Sequence, residues 1–159
     1  MKEKRPYRRK MEGKTDYKQR LRLLKSRKPR LVVRKSLRNI QLQLIDYVAK
    51  GDKILVSSHS NQLKKFGWKR NYGNSSSAYL TGLILGLKAK SKNIKEAVLD
   101  LGLNRSVKGS VLYAALKGAT ENGLNVPHSE DILPKEKFLE GKEGIKDTKE
   151  KILKEKWQT

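Results

Sequence analysis

The sequence predicts an α/β fold: a mixed β-sheet built as a three-strand meander, then helix, strand and helix, with a basic N-terminal arm and a C-terminal tail. Three observations carry this. Three apolar runs of strand length fall between Arg30 and Ser58, separated by short polar turns. Beyond them, two stretches with apolar residues at helical spacing flank one short strand-like run. Charge also divides the chain: residues 1–38 hold 17 Lys and Arg against 3 Asp and Glu, residues 39–125 hold 13 against 5, and residues 126–159 hold 8 against 8. The expected organisation is an arm with a short helix over residues 1–28, a mixed-sheet core over 29–127, and a tail over 128–159.

Each element has its own reason. Residues 1–13 include Pro6 and too few apolar side chains to fold alone, so they read as an extended arm. A short helix follows, capped by Asp16 or Thr15, with Tyr17, Leu21 and Leu24 at i, i+4 and i+7. After Lys28-Pro29 the core begins with Leu31-Val32-Val33. From Asn39 to Ile45 the chain alternates, with Ile40, Leu42 and Leu44 on one face and Gln41 and Gln43 on the other, and Ser36–Arg38 closes a hairpin. Gly51-Asp52 turns the chain into a third strand, Lys53–Ser58, and residues 60–74 read as a basic loop. A helix then starts within Asn74–Ser77, with Leu80, Leu83, Ile84 and Leu87 inward. Ala97–Leu101 is the fourth strand. Ser110–Asn122 is a second helix, with Val111, Leu112, Ala115, Leu116 and Ala119 inward and Gly123 as its stop. Pro127 closes the core. In the tail, Thr148–Trp157 reads as a helix capped by Asp147, with Ile152, Leu153 and Trp157 in need of a partner surface; an interaction tail and a poorly ordered terminus both remain open.

Much chemistry is excluded. With no cysteine there is no disulfide framework, thiolate metal site or cysteine nucleophile, and a reducing compartment is expected. The charged first residues predict no secretory leader, and Ala78–Leu87 is too short to span a bilayer. Gly13-Lys14-Thr15 resembles the end of a phosphate-binding loop, but Arg8 stands where the first glycine belongs. Gly82 and Gly86 point to close packing of a helix on the sheet. Asn74-Ser75-Ser76 matches a glycosylation sequon but reads as a helix cap. His59 and His128 have no companion acid at motif spacing. Asp100 has no convincing partner among Asp46, Asp52, Glu96 and Glu121, so the two-carboxylate requirement of a metal nuclease is unmet. The expectation is a protein that is not an enzyme and takes no cofactor, metal or small-molecule substrate.

A net charge of +22 on 159 residues calls for a polyanion. A membrane surface suits it poorly, because no helix carries the broad apolar face of an interfacial anchor. Lysine and arginine neutralise phosphates and release counterions, while aromatic side chains among them stack on unpaired bases. The candidate RNA-binding residues are Arg5, Arg8, Arg9, Lys10, Lys14, Tyr17, Lys18, Arg20, Arg22, Lys25, Arg27 and Lys28 in the arm and its helix. Arg34, Lys35, Arg38 and Asn39 join them at the first hairpin, and Trp68, Lys69, Arg70, Tyr72 and Asn74 in the loop. Packing against the core is the competing role for each aromatic, most of all for Tyr17 on its apolar stripe. Charge does not exclude DNA, but no zinc finger, basic zipper or clear helix-turn-helix is present.

The same segments carry a resemblance. Glu12-Gly13-Lys14-Thr15-Asp16-Tyr17, Pro29-Arg30-Leu31-Val32-Val33-Arg34, Leu99-Asp100-Leu101-Gly102-Leu103, Ala114-Ala115-Leu116-Lys117-Gly118-Ala119 and Val126-Pro127-His128-Ser129 occur in order. Over roughly residues 5–130 the chain resembles the large-subunit-eighteen family of ribosomal proteins, in its archaeal-eukaryotic branch that binds 5S rRNA. The resemblance implies a ribonuclease-H-like sheet without nuclease activity and a place in the cytoplasmic large ribosomal subunit. There it implies anchoring of 5S rRNA in the central protuberance, contact with 23S-type rRNA, and the fifth large-subunit ribosomal protein as a neighbour. It also implies that the arm around Arg8, Arg9, Lys10, Lys14 and Tyr17 contacts rRNA and that Tyr72-Gly73-Asn74 takes part in 5S recognition. The tail after Ser129 departs from the family pattern. A nuclease on the same architecture is the alternative.

Overall fold

The structure, a computed structural model, describes residues 5–135, 144–155 and 157. The first four residues of the expected arm, and residues 136–143, 156, 158 and 159 of the expected tail, lie outside the described residues. In chain order the elements are α1 (Arg8–Met11), α2 (Tyr17–Leu24), β1 (Arg30–Lys35), β2 (Ile40–Asp46), β3 (Lys53–His59), α3 (Ser75–Ser91), β4 (Val98–Asp100), α4 (Val111–Glu121) and α5 (Ile145–Lys154). Short 3-10 segments cover Ser60–Phe66 and Glu130–Ile132.

The strands form one mixed sheet in the order β3-β2-β1-β4. The meander pairs antiparallel, and β4 returns parallel to β1 after the α3 crossover. Register follows the alternation read from sequence. Leu31 faces Leu44, Val33 faces Leu42, and Leu44 faces Val56, so these apolar side chains share one face. That face is covered by α3 and α4, and Leu31, Val33, Leu42 and Leu44 are all buried. Each such side chain contributes about 1.5–3 kcal/mol relative to exposure. The opposite face carries Arg30, Val32 and Arg34 beside Ile45, Gln43 and Gln41.

Helix α3 is buried around nearly its whole circumference from Ser76 to Gly86, with sheet on one side and α4 and α5 on others. Asn74 is its cap: Oδ1 accepts the Ser77 N–H at 2.8 Å. The glycines act differently from the expectation. They admit helix on helix, not helix on sheet. A Cβ on Gly82 would collide with the Ala115 carbonyl oxygen and one on Gly118 with that of Tyr79, so α3 and α4 meet backbone to backbone. Helix α4 ends where expected, with Gly123 at φ 91° closing it.

Four further expectations are corrected. The arm is not wholly extended, because Tyr7 O accepts from the N–H groups of Lys10 and Met11 and opens α1. Residues 60–74 are not all loop: His59 Nδ1 accepts the Asn61 N–H and starts the 3-10 segment, whose Leu63 and Phe66 are buried. Strand β4 is shorter than read, since the Gly102 N–H turns back onto Asp100 Oδ1 at 2.9 Å and ends it. The tail helix begins at Ile145, placing Asp147 in its first turn instead of at its cap. Its partner surface is the core itself, where Ile145, Thr148 and Ile152 are buried.

Candidate nucleic-acid interface

Asp16 starts α2 by accepting from the N–H groups of Lys18 and Gln19 at 2.9 and 3.1 Å. The helix buries no side chain, so Lys18, Arg22 and Lys25 are exposed along it. Arg5, Arg8, Arg9, Lys10 and Lys14 precede it, all exposed, and Arg27 and Lys28 follow it, also exposed. Several are already engaged within the chain. Arg9 Nε donates to Thr15 Oγ1 at 2.9 Å, and Lys14 Nζ lies 2.9 Å from Glu12. Lys28 Nζ lies 2.5 Å from Glu96. Tyr17 is half-buried against Tyr7, ring centroids 5.1 Å apart.

Arg20 is the link from the arm to the sheet. Its Nη2 donates to both carboxylate oxygens of Asp52, at 2.9 and 2.8 Å. Asp52 Oδ2 also accepts from Arg30 Nη2 at 2.7 Å, and Arg30 Nη1 donates to Asp100 Oδ2 at 2.7 Å. Sheet register explains this convergence. Arg30 pairs with Ile45, Ile45 with Ile54, and Val32 with Asp100, which brings Asp52 and Asp100 to either side of the Arg30 side chain. Arg30 is 5% exposed, so its charge requires such partners. Asp100, the strand carboxylate a nuclease would use, is thus bound to a guanidinium.

Between α2, the sheet and the turn Leu101–Asn104 lies a cleft of about 270 Å³. Arg9, Lys14, Arg20 and Arg34 line it together, so the arm and the outer end of β1 share one cavity. The hairpin and the loop also meet. A Cβ on Gly73 would stand 3.1 Å from the Leu37 carbonyl oxygen, which seats the 71–74 segment against the turn bearing Lys35, Arg38 and Asn39. Lys35, Arg38, Lys69 and Arg70 are exposed there, and Asn39 is half-buried.

The loop aromatics divide. Trp68 is no stacking platform: it is 4% exposed, and its Nε1 donates to the Asn71 carbonyl. With Phe66 it closes the end of the core, because so large an apolar surface is better removed from water than left among lysines. Tyr72 is half-buried, its hydroxyl donating to Trp68 O at 3.2 Å and Lys64 Nζ 5.8 Å from its ring. Asn74 uses its side chain as the α3 cap.

Sequence reasoning passed over Arg30 and Asp52, the anchors of the arm. It also passed over the basic turn carrying Arg105 and Lys108, both exposed, beyond the cleft wall. The glutamine alternation in β2 was the available signal for the face that α3 and α4 do not cover, where Gln43 pairs with Ser57 and Gln41 with His59.

Comparison with known proteins identifies the family. A family model for ribosomal large subunit proteins 60S L5 and 50S L18 matches residues 2–95 and 88–129. The chain is 54% identical over 136 residues to the large ribosomal subunit protein uL18 of Methanococcus maripaludis, covering 86% of this chain and 70% of that protein. With the family model matching most of its length and more than half of its aligned residues identical to that relative, the chain belongs to the family of ribosomal large subunit proteins 60S L5 and 50S L18.

Proposed function

We propose that this large-subunit protein binds 5S rRNA and anchors it in the central protuberance, touching 23S-type rRNA and lying beside the fifth large-subunit ribosomal protein. The observation that carries the reading is the gathering of basic residues on the parts of the molecule that α3 and α4 leave open. Arg9, Lys14 and Arg34 share the cleft, while the hairpin with Lys35 and Arg38 is seated against the 71–74 segment. Phosphate contacts of this kind position a protein on RNA, and Tyr72 and the polar sheet face add groups that read shape and unpaired bases. The arm, core and tail divide at residues 28 and 127 in this reading. The family's proteins are structural components of the large ribosomal subunit, not enzymes, and the nuclease alternative has no support.

A gel-shift comparison of 5S rRNA with transfer RNA at physiological salt tests the specific reading. The expected result is tighter binding of 5S rRNA. Equal affinity for the two would reduce the protein to a generic polyanion binder.

A further inference from the structure

Asp52 is out of place by charge. It stands where the arm crosses the sheet, in a region whose ligand would be a polyanion, and a carboxylate there repels phosphate. Of the carboxylates lining the cleft, Asp16 caps α2 and Asp100 stays within the sheet and its turn. Asp52 alone among them reaches from the sheet to the arm, accepting twice from Arg20 and once from Arg30. The helix it holds has little else to fix it, since α2 buries no side chain and Leu23 and Leu24 are only half-covered.

We propose that Asp52 is a positioning residue for RNA binding: through Arg20 it holds α2 across the sheet, so that Arg9 and Lys14 of the arm face the same cleft as Arg34 of β1. This rests on the reading above that the basic arm binds rRNA. The alternative for Asp52 is plain charge balance within the chain, and the two differ in sign. If only charge matters, removing a carboxylate beside the phosphates tightens binding. If position matters, removing it weakens binding, because the arm must then be ordered at the moment RNA arrives.

The experiment uses the full chain with Asp52→Asn, and 5S rRNA titrations at low and physiological salt. Asp52→Asn is expected to weaken binding about fivefold, the scale of one partly exposed charge pair, with Asp52→Glu recovering most of the loss. Asp131→Asn, which removes the same charge from an exposed site outside the arm and sheet, is expected to leave affinity equal or slightly raised. Hydrogen exchange without RNA should show α2 amides losing protection in Asp52→Asn while those of β2 keep theirs. Should Asp52→Asn fail to fold, Arg20→Lys carries the test: it keeps the net charge and loses the two-pronged contact, so weaker binding together with lost α2 protection in the absence of RNA supports the role, and weaker binding with that protection kept overturns it. Unchanged or tighter binding by Asp52→Asn, or by Arg20→Lys in its place, overturns the proposal alone. A native chain that does not bind 5S rRNA overturns the RNA reading and the proposal with it.

Discussion

Helix α2, near the start of the chain, buries no side chain, whereas α5, near its end, buries Ile145, Thr148 and Ile152. Both are short, basic helices laid on the same core, yet different forces attach them. Helix α2 is tied by Arg20 to Asp52, a partly exposed pair worth less than about 1 kcal/mol and weakened by salt. Helix α5 is tied by apolar burial against α3 and the 3-10 segment, by Trp157 beside Phe66 with ring centroids 5.9 Å apart, and by Lys149 donating to Tyr79 at 2.6 Å. Each helix backs a candidate RNA segment. The first walls the cleft; the second lies behind Lys69 and Arg70, where Gly144 and Thr148 share a hollow with them. An end attached by charge can be removed without opening the core, while an end attached by burial cannot.

The largest effect that separates the two ends is on binding. Deleting residues 1–28 is expected to lower 5S rRNA affinity on the order of a thousandfold at physiological salt, because so many basic groups leave with the arm. The circular-dichroism spectrum of the sheet should survive, since no described arm side chain is in the hydrophobic core. Loss of the native spectrum would mean that the arm is part of the fold, and the contrast with α5 would fall.

Stability separates them the other way. Ile152 is 0% exposed, and Ile152→Ala is expected to cost about 2–4 kcal/mol from lost burial and the cavity left behind. Urea unfolding checks this, with RNA affinity within about twofold of native wherever the variant remains folded. A loss below about 0.5 kcal/mol would place α5 with the surface appendages.

What the sequence made legible follows from how far each signal reaches. Alternation in Ile40–Ile45 and helical spacing in Leu80–Ile84 are local, and both elements stand where they were expected. Sequence leaves Trp68 undecided because its neighbours Lys69 and Arg70 argue for solvent, while its burial depends on elements distant in sequence. The Arg20–Asp52 pair spans 32 positions; no local pattern marks either residue as the other's partner. The same limit applies to Gly118, whose need for a missing side chain appears only when the Tyr79 backbone of α3 is laid against it. Fold class was readable from period and charge. The basic residues were readable as candidates, but not which of them are already engaged within the chain.

The smallest effect is a pH dependence at Lys88, where tail, edge strand and α3 meet. Its Nζ donates to Ser57 O of β3 at 3.1 Å and sits 5.2 Å from the Trp157 ring. Burial pushes the Lys88 ammonium below the usual lysine value of 10.5, Lys65 pushes the same way, and Glu155 opposes them. The folded chain therefore releases this proton more readily than the unfolded chain. Stability gained from this group is complete above the unfolded value and is lost as pH falls through the lowered folded one. Measured as a difference in Tm, the native protein should gain on Lys88→Met as pH rises toward 10.5. The same comparison in a chain cut before Gly144 should be flatter, because re-exposing the ammonium to water removes the largest cause of the lowering, while the loss of Glu155, the smallest contributor, works the other way. A pH dependence unchanged by the cut would show that the burial of Lys88 does not come from the tail, and would weaken the view of α5 as part of the core.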